Sequence, residues 1–237
     1  MCAGDRPFGA GPWRSDGAFC DTLSPIVTPL VDESGLLLVM EEARRLGFLG
    51  PGPVVDHIDH AHRYLAPLDA VAAESAGGPL RFVDLGAGGG LPSLPLLAAR
   101  AGWQAVLMDA AQKRCSFLVW ALAELDLADR AEVWNGRVEL LAHQDRARFV
   151  FDAAVARSFG PPAVVAECGA ALIVVGGKLV ISEPPGGREW PAGPLAHLGL
   201  RQRVEDDHRG VVVLERVAEL PDPFPRPAKE MQRSPLW

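Results

Sequence analysis

The segment Phe82-Val-Asp-Leu-Gly-Ala-Gly-Gly-Gly-Leu-Pro92 constrains this chain more than any other, because an apolar run breaks into glycines at 86, 88, 89 and 90 and then reaches a proline. Glycines turn the backbone with positive φ and let it approach a ligand that a Cβ would push away. Proline suits a first helical turn. The segment therefore reads as strand, loop, helix. The same order follows downstream: strand Gln104 to Met108, helix Ala111 to Leu125, strand Ala131 to Trp134. Alternating strands and helices demand a parallel sheet with right-handed crossovers. The fold expected is α/β, a Rossmann-like, mostly parallel sheet with helices on both faces. Its ligand crevice lies at the carboxyl ends of the strands.

Other segments fill in the organisation. Residues 1–25 hold several Gly and Pro with little periodicity and read as a mobile arm. Residues 26–78 read as a small N-terminal helical cap, with one helix over Asp32 to Leu49, a stop at Gly50-Pro-Gly-Pro53, and a second over Val54 to Ala73. The sheet domain spans 79–220, with a helix from Pro92 to Ala101 and further strands at Phe151 to Ala156, Lys178 to Ser182, Leu198 to Val204 and Val211 to Val217. The last two read as an antiparallel pair closing the sheet. Residues 221–237 read as an extended tail, since Leu220 to Pro227 carries proline at every second position.

Composition narrows the function classes. The four cysteines, Cys2, Cys20, Cys115 and Cys168, show neither C-x-x-C nor zinc-finger spacing, so reduced thiols in the cytoplasm are expected. No secretion signal or membrane span is legible. A net charge of −7 disfavours a nucleic-acid partner unless a local basic face offsets it. His57, His60 and His62 form H-x-x-H-x-H, but no carboxylate or cysteine set completes a metal site, and a polar helix face is the simpler reading. Trp103, Trp120 and Trp134 fall inside elements and are expected in the core.

The glycine spacing speaks to the cofactor. A dinucleotide fold uses G-x-G-x-x-G so that a pyrophosphate meets a helix N-terminus. Here Gly86, Gly88 and Gly90 make G-x-G-x-G with Asp84 two residues before. That favours S-adenosylmethionine, which has no pyrophosphate to cradle, over NAD or FAD. No ATP-binding P-loop sequence is present. Asp109, ending the second strand, suits a ribose diol. The loop Asn135-Gly-Arg-Val-Glu139 would pass beside an adenine, or serve only as a polar turn. At the end of the fourth strand stands Arg157, which cannot act as a base but holds carboxylate or phosphate with a forked set of donors. No cysteine nucleophile or base is apparent beside the loop. A ring nitrogen with a free lone pair tolerates that, because transfer then needs chiefly proximity and alignment.

Taken together, Val83 to Pro92, Met108-Asp109 with Gln112-Lys-Arg-Cys-Ser-Phe-Leu118, Asn135 to Glu139, and Ala156-Arg-Ser-Phe159 resemble the RsmG/GidB family in order and spacing. These are bacterial methyltransferases acting at N7 of a guanine in small-subunit (16S) ribosomal RNA. The resemblance runs from about Val54 to Ser182, with echoes at Phe224-Pro-Arg226 and Pro235-Leu236. It implies a class I S-adenosylmethionine methyltransferase fold, with Gly86, Gly88, Gly90, Leu91, Asp109, Val138 and Glu139 at the cofactor and Arg157 closing the site. It also implies ribosomal RNA or the small subunit as partner. The chain departs from the family at Ser93, where glycine is usual, and at Glu183, where lysine is usual. From Arg201 to Trp237 seven Lys/Arg face seven Asp/Glu, so the family's basic tail is missing. Those departures keep two alternatives open: a paralogue methylating a small molecule, and a non-catalytic module that binds S-adenosylmethionine.

Overall fold

The computed structural model describes residues 32–74, 78–203 and 210–237. The arm at 1–25 and most of the turn before the last strand lie outside the described residues.

Seven strands form one sheet in the order β3-β2-β1-β4-β5-β7-β6. Strands β1 (Arg81–Leu85), β2 (Gln104–Asp109), β3 (Ala131–Asn135), β4 (Phe151–Ala156) and β5 (Ile173–Ser182) are parallel. The last two, β6 (Leu200–Gln202) and β7 (Val211–Arg216), pair antiparallel with each other, and β7 pairs antiparallel with β5. Strand order reverses between β1 and β4, so the crevice opens there.

Alternation along the strands sends side chains into two cores. Phe82, Leu107, Val155 and Val180 face one side, and Val83, Met108, Ala154 and Ile181 the other. Successive strand residues point to opposite faces, so a strand buried on both sides is apolar throughout. On the first face lie α1 (Glu33–Arg45), α2 (Val54–His62), α3 (Leu65–Glu74), α4 (Ser93–Ala99) and α5 (Gln112–Glu124). On the second lie α6 (Val138–Leu141), α7 (Pro162–Ala170), α8 (Ala192–His197) and α9 (Ala228–Arg233). The mostly parallel Rossmann-like sheet with helices on both faces is the architecture expected.

Four local expectations are corrected. The second cap helix breaks at Arg63 and Tyr64 into α2 and α3. Pro67 explains it: a continuous helix would require its missing N–H and set its ring against the Arg63 carbonyl, whereas the first turn of a new helix tolerates it. The tail is extended only to Pro227, since Ala228–Arg233 is helical and its Met231 is buried. Proline at the N-cap starts that helix, and the six residues after it carry none. Trp103 is buried as expected, but Trp120 is 40% exposed on α5 and Trp134 is half-buried. Strand β6 is only three residues long.

Candidate active site

The glycine loop leaves β1 with Gly86, Gly88 and Gly90 at φ values of +72°, +57° and +86°. A Cβ on Gly86 would stand 2.8 Å from Phe159 Cδ2, so this position admits only glycine beside that ring. Gly90 is held against Leu94 of α4 and lines neither cavity described below, so its glycine serves the turn itself.

Asp109, at the end of β2, is 4% exposed. Its Oδ2 accepts from the Gly88 N–H at 2.9 Å and its Oδ1 from the Ala111 N–H at 2.8 Å. The acid therefore ties the glycine loop to the start of α5. Arg114, one turn into α5, stands 3.7 Å from the same carboxylate.

Two cavities adjoin at the carboxyl ends of β1 and β4, sharing Gly86, Arg114 and Ser158. The larger, about 630 Å³, runs past Asp109, Val138, Glu139 and Phe159. The smaller, about 210 Å³, is bounded by Gly88, Leu91 and Arg157 and by Phe48 and Leu49 of the cap. Of the residues anticipated from sequence, Gly86, Asp109, Val138 and Glu139 meet in the first, and Gly86, Gly88, Leu91 and Arg157 in the second. Val138 and Glu139 are buried, and Glu139 is ion-paired with Arg137.

Behind the smaller cavity sits a buried polar cluster. Arg157 Nη2 donates to His57 Nδ1 at 2.8 Å, and His57 Nε2 lies 3.1 Å from the Gly50 carbonyl. A guanidinium only donates and a carbonyl only accepts, so these partners fix the imidazole as the neutral tautomer with hydrogen on Nε2. Asp84 is fully buried and accepts from Ser93 Oγ at 2.6 Å. Ser93, read from the sequence as a departure from the pattern it resembles, thus holds this carboxylate. Tyr64 donates to the Ala156 carbonyl at 2.9 Å. Two side-chain polar atoms here are buried without a hydrogen-bond partner among the described residues: Asp84 Oδ1 and Arg157 Nη1. His60 beside them is held neutral, pushed down to about 4 by burial and then by Arg157.

Burial pushes the Asp84 carboxyl up to about 7 from its ordinary 3.8, with Ser93 and Arg157 opposing. Between those values the folded protein keeps a proton that the unfolded chain has lost. Stability therefore falls as pH rises from about 4 to about 7 and levels off above. Asp84→Asn keeps an acceptor for Ser93 and removes the titration, so its urea-denaturation stability should lose that slope and exceed wild type at pH 8 by on the order of a few kcal/mol. Parallel stability profiles from pH 4 to 8 would refute this assignment.

Sequence reasoning missed several wall residues. Arg114 lies inside the Gln112 to Leu118 motif, where sequence alone assigns it no role. Phe48 and Leu49 come from the cap, where a Cβ on Gly89 would meet Leu49 Cδ2 at 2.7 Å. The tail residues Ala228, Met231, Gln232, Pro235 and Trp237 line the larger cavity. No local signal marks contacts that span so much chain. Of the three histidines only His57 reaches this site through a hydrogen bond, and among the described residues no group of three His, Cys, Asp or Glu could hold a metal ion. Cys115 and Cys168 are free and buried.

A strand order of 3-2-1-4-5-7-6, with a glycine loop after β1 and an acid ending β2, defines the class I methyltransferase fold. The fold is shared with a methyltransferase of known structure from Geobacter sulfurreducens, at TM-score 0.53 and 17% identity over 81% of this chain and 93% of that one. It is also shared with a mutant of MtNAS in complex with S-adenosylmethionine, at TM-score 0.51 and 13% identity over 77% and 73% of the two chains. Within that class the chain belongs to the GidB family, described as rRNA small subunit methyltransferase G, whose model matches residues 62–183. Relatives named ribosomal RNA small subunit methyltransferase G include those of Rubrobacter xylanophilus, 33% identical over 66% of this chain, and Streptococcus pyogenes, 27% identical over 76%. The matched region covers 65% of the first relative, just under two thirds, and 79% of the second. Among the described residues no helix is long and apolar enough to cross a membrane.

Proposed function

We propose that this chain is an S-adenosylmethionine-dependent methyltransferase that modifies N7 of a guanine in small-subunit ribosomal RNA, in the cytoplasm where such subunits are built. Family membership supports the acceptor. The observation that carries the cofactor is Arg157 Nη1, a buried donor without a partner at the wall of the smaller cavity, with Asp84 Oδ1 likewise unpartnered behind the glycine loop. Buried polar groups ordinarily find partners, and the carboxylate of an amino-acid zwitterion would meet the Arg157 guanidinium. The cavities fit the remainder: Asp109 offers acceptors to a ribose diol, and Val138 and Glu139 flank the space for an adenine.

When bound, S-adenosylmethionine supplies an electrophilic methyl group on a sulfonium. The protein's own residues position and exclude. Gly86 and Gly88 give close backbone approach, Leu91 and Phe159 wall off water, and Arg157 holds an anionic group while His57 fixes the guanidinium from the cap. A guanine ring nitrogen attacks with its own lone pair, so no side chain need take a proton and alignment carries the rate.

With tritiated S-adenosylmethionine and small subunits from cells lacking the endogenous enzyme, label is expected in 7-methylguanosine. Arg157→Ala should reduce that transfer by about 100-fold, the ~2.8 kcal/mol of one lost charge-assisted contact. Normal cofactor binding with no label in RNA would overturn the acceptor. Unchanged transfer by Arg157→Ala would remove that residue from the site.

A further inference from the structure

The family match ends at residue 183, yet the segment after β7 supplies Ala228, Met231, Gln232, Pro235 and Trp237 to the larger cavity. It is tied down along its length. The Arg226 backbone N–H donates to Glu167 Oε1 of α7 at 2.6 Å, and its Nη2 donates to Oε2 at 2.9 Å. Arg226 Nη1 donates to the Ser234 carbonyl at 3.0 Å, drawing the end of α9 back over the site. His143 Nε2 donates to the Pro225 carbonyl at 2.8 Å and Arg148 Nη1 to the Phe224 carbonyl at 2.9 Å. At the far end the Trp237 ring meets Trp190 edge-on, with centroids 6.3 Å apart. The Trp237 indole N–H is buried and has no acceptor among the described residues. A buried donor left unpaired is disfavoured, so in a cavity-lining residue it marks a place where a ligand brings the acceptor.

We infer that residues 226–237 form a fixed wall of the cofactor site and that Trp237 is a binding residue, donating its indole N–H to a ring nitrogen of the cofactor's purine. This rests on the reading that the site takes S-adenosylmethionine. The same cavity is also lined by Gly136, Val138 and Glu139, so a flat heterocycle held there would meet that loop as well as the strap. A purine presents ring nitrogens as acceptors, which an indole donor can meet.

Calorimetric titration of the full chain with S-adenosylhomocysteine tests the wall without any acceptor. Trp237→Phe keeps a ring and loses the donor, and should weaken binding about 3- to 10-fold. Trp237→Ala, and a chain ending at Pro227 that retains the Arg226–Glu167 pair, should weaken it about 30-fold or more. The change in tryptophan emission on titration should also shrink in Trp237→Phe. Wild-type affinity in the shortened chain, with an unaltered circular dichroism spectrum, would overturn the inference. Should the shortened chain not fold, wild-type affinity in both Trp237 variants overturns it equally. If the wild-type chain binds no S-adenosylhomocysteine, the cofactor reading itself falls and the wall with it. Tight wild-type binding with indifferent variants removes the wall alone.

Discussion

Asp109→Ala is expected to lose about 100-fold or more in affinity for S-adenosylhomocysteine, a larger effect than removing any ordinary ribose contact. The reason is that this carboxylate already organises the loop within the fold. It accepts from the Gly88 and Ala111 N–H groups, binding the glycine loop to the start of α5. Hydrogen bonds to a charged group contribute roughly 1.5–3 kcal/mol each, and alanine removes two. The loop must then be ordered at the ligand's expense, and any diol contact is lost as well. Asp109→Asn is the informative partner. Its amide oxygen can serve one N–H while its NH₂ faces the other donor, so its affinity should fall between wild type and alanine, within about 10- to 30-fold of wild type. Calorimetry on the three proteins measures the series. If alanine binds within about threefold of wild type, the loop is self-supporting and Asp109 has no organising role.

The core of this arrangement was legible because it is local. The glycines after β1, the acid ending β2 and the arginine ending β4 each sit at a strand terminus, and strand termini follow from apolar runs. Ser93 shows the limit of motif comparison: set against a family pattern it is a departure, while in the fold its hydroxyl holds the buried Asp84 carboxylate at 2.6 Å. Gly90 shows the converse, a motif position whose constraint comes from Leu94 and not from either cavity. What stayed hidden was whatever depends on distant chain. The hydrogen bond from Arg157 to His57 spans 100 residues and that from Arg226 to Glu167 spans 59. No periodicity encodes such pairings. Pro67 is different, since its effect on the cap helix was readable from the residue itself.

The site is built at the seam between family core and flanking segments. On one side Phe48 and Leu49 of the cap close on the glycine loop, and on the other the strap closes on Val138 and Glu139. Both lie outside residues 62–183. Residues 226–237 carry Arg226, Lys229 and Arg233 against Glu230 alone, a net charge of +2 that bears on the proposed RNA acceptor, because phosphate contacts supply much of the affinity of such proteins. Cations committed inward, as Arg226 is to Glu167, cannot serve RNA. Lys229 and Arg233 are exposed and remain able to face phosphate.

Breaking the Arg226–Glu167 pair should produce the largest loss of stability of any single substitution in the strap. Glu167 is 1% exposed and the Arg226 side chain 11%, and the contact is forked, with the Arg226 backbone N–H adding a third donor. Removing one partner of a buried pair leaves the other charge without compensation, at about 3–5 kcal/mol. For a chain of this size that lowers the melting temperature by about 6–20 °C. Glu167→Ala strands the guanidinium and Arg226→Ala strands the carboxylate, so each should fall in this range. A Glu167→Leu, Arg226→Met double variant strands neither charge and should recover part of the loss, since apolar groups of similar volume often replace a buried pair at little net cost, the remainder being the Arg226 backbone N–H that loses its acceptor. Salt separates this pair from the exposed ones. A surface ion pair is screened within about 10 Å at 0.1 M ionic strength, whereas this one should lose little between 0.05 and 0.5 M salt. Urea denaturation of the three variants at both salt levels decides the matter. Single substitutions below about 1 kcal/mol would mean that Phe224 and Met231 hold the strap by burial alone.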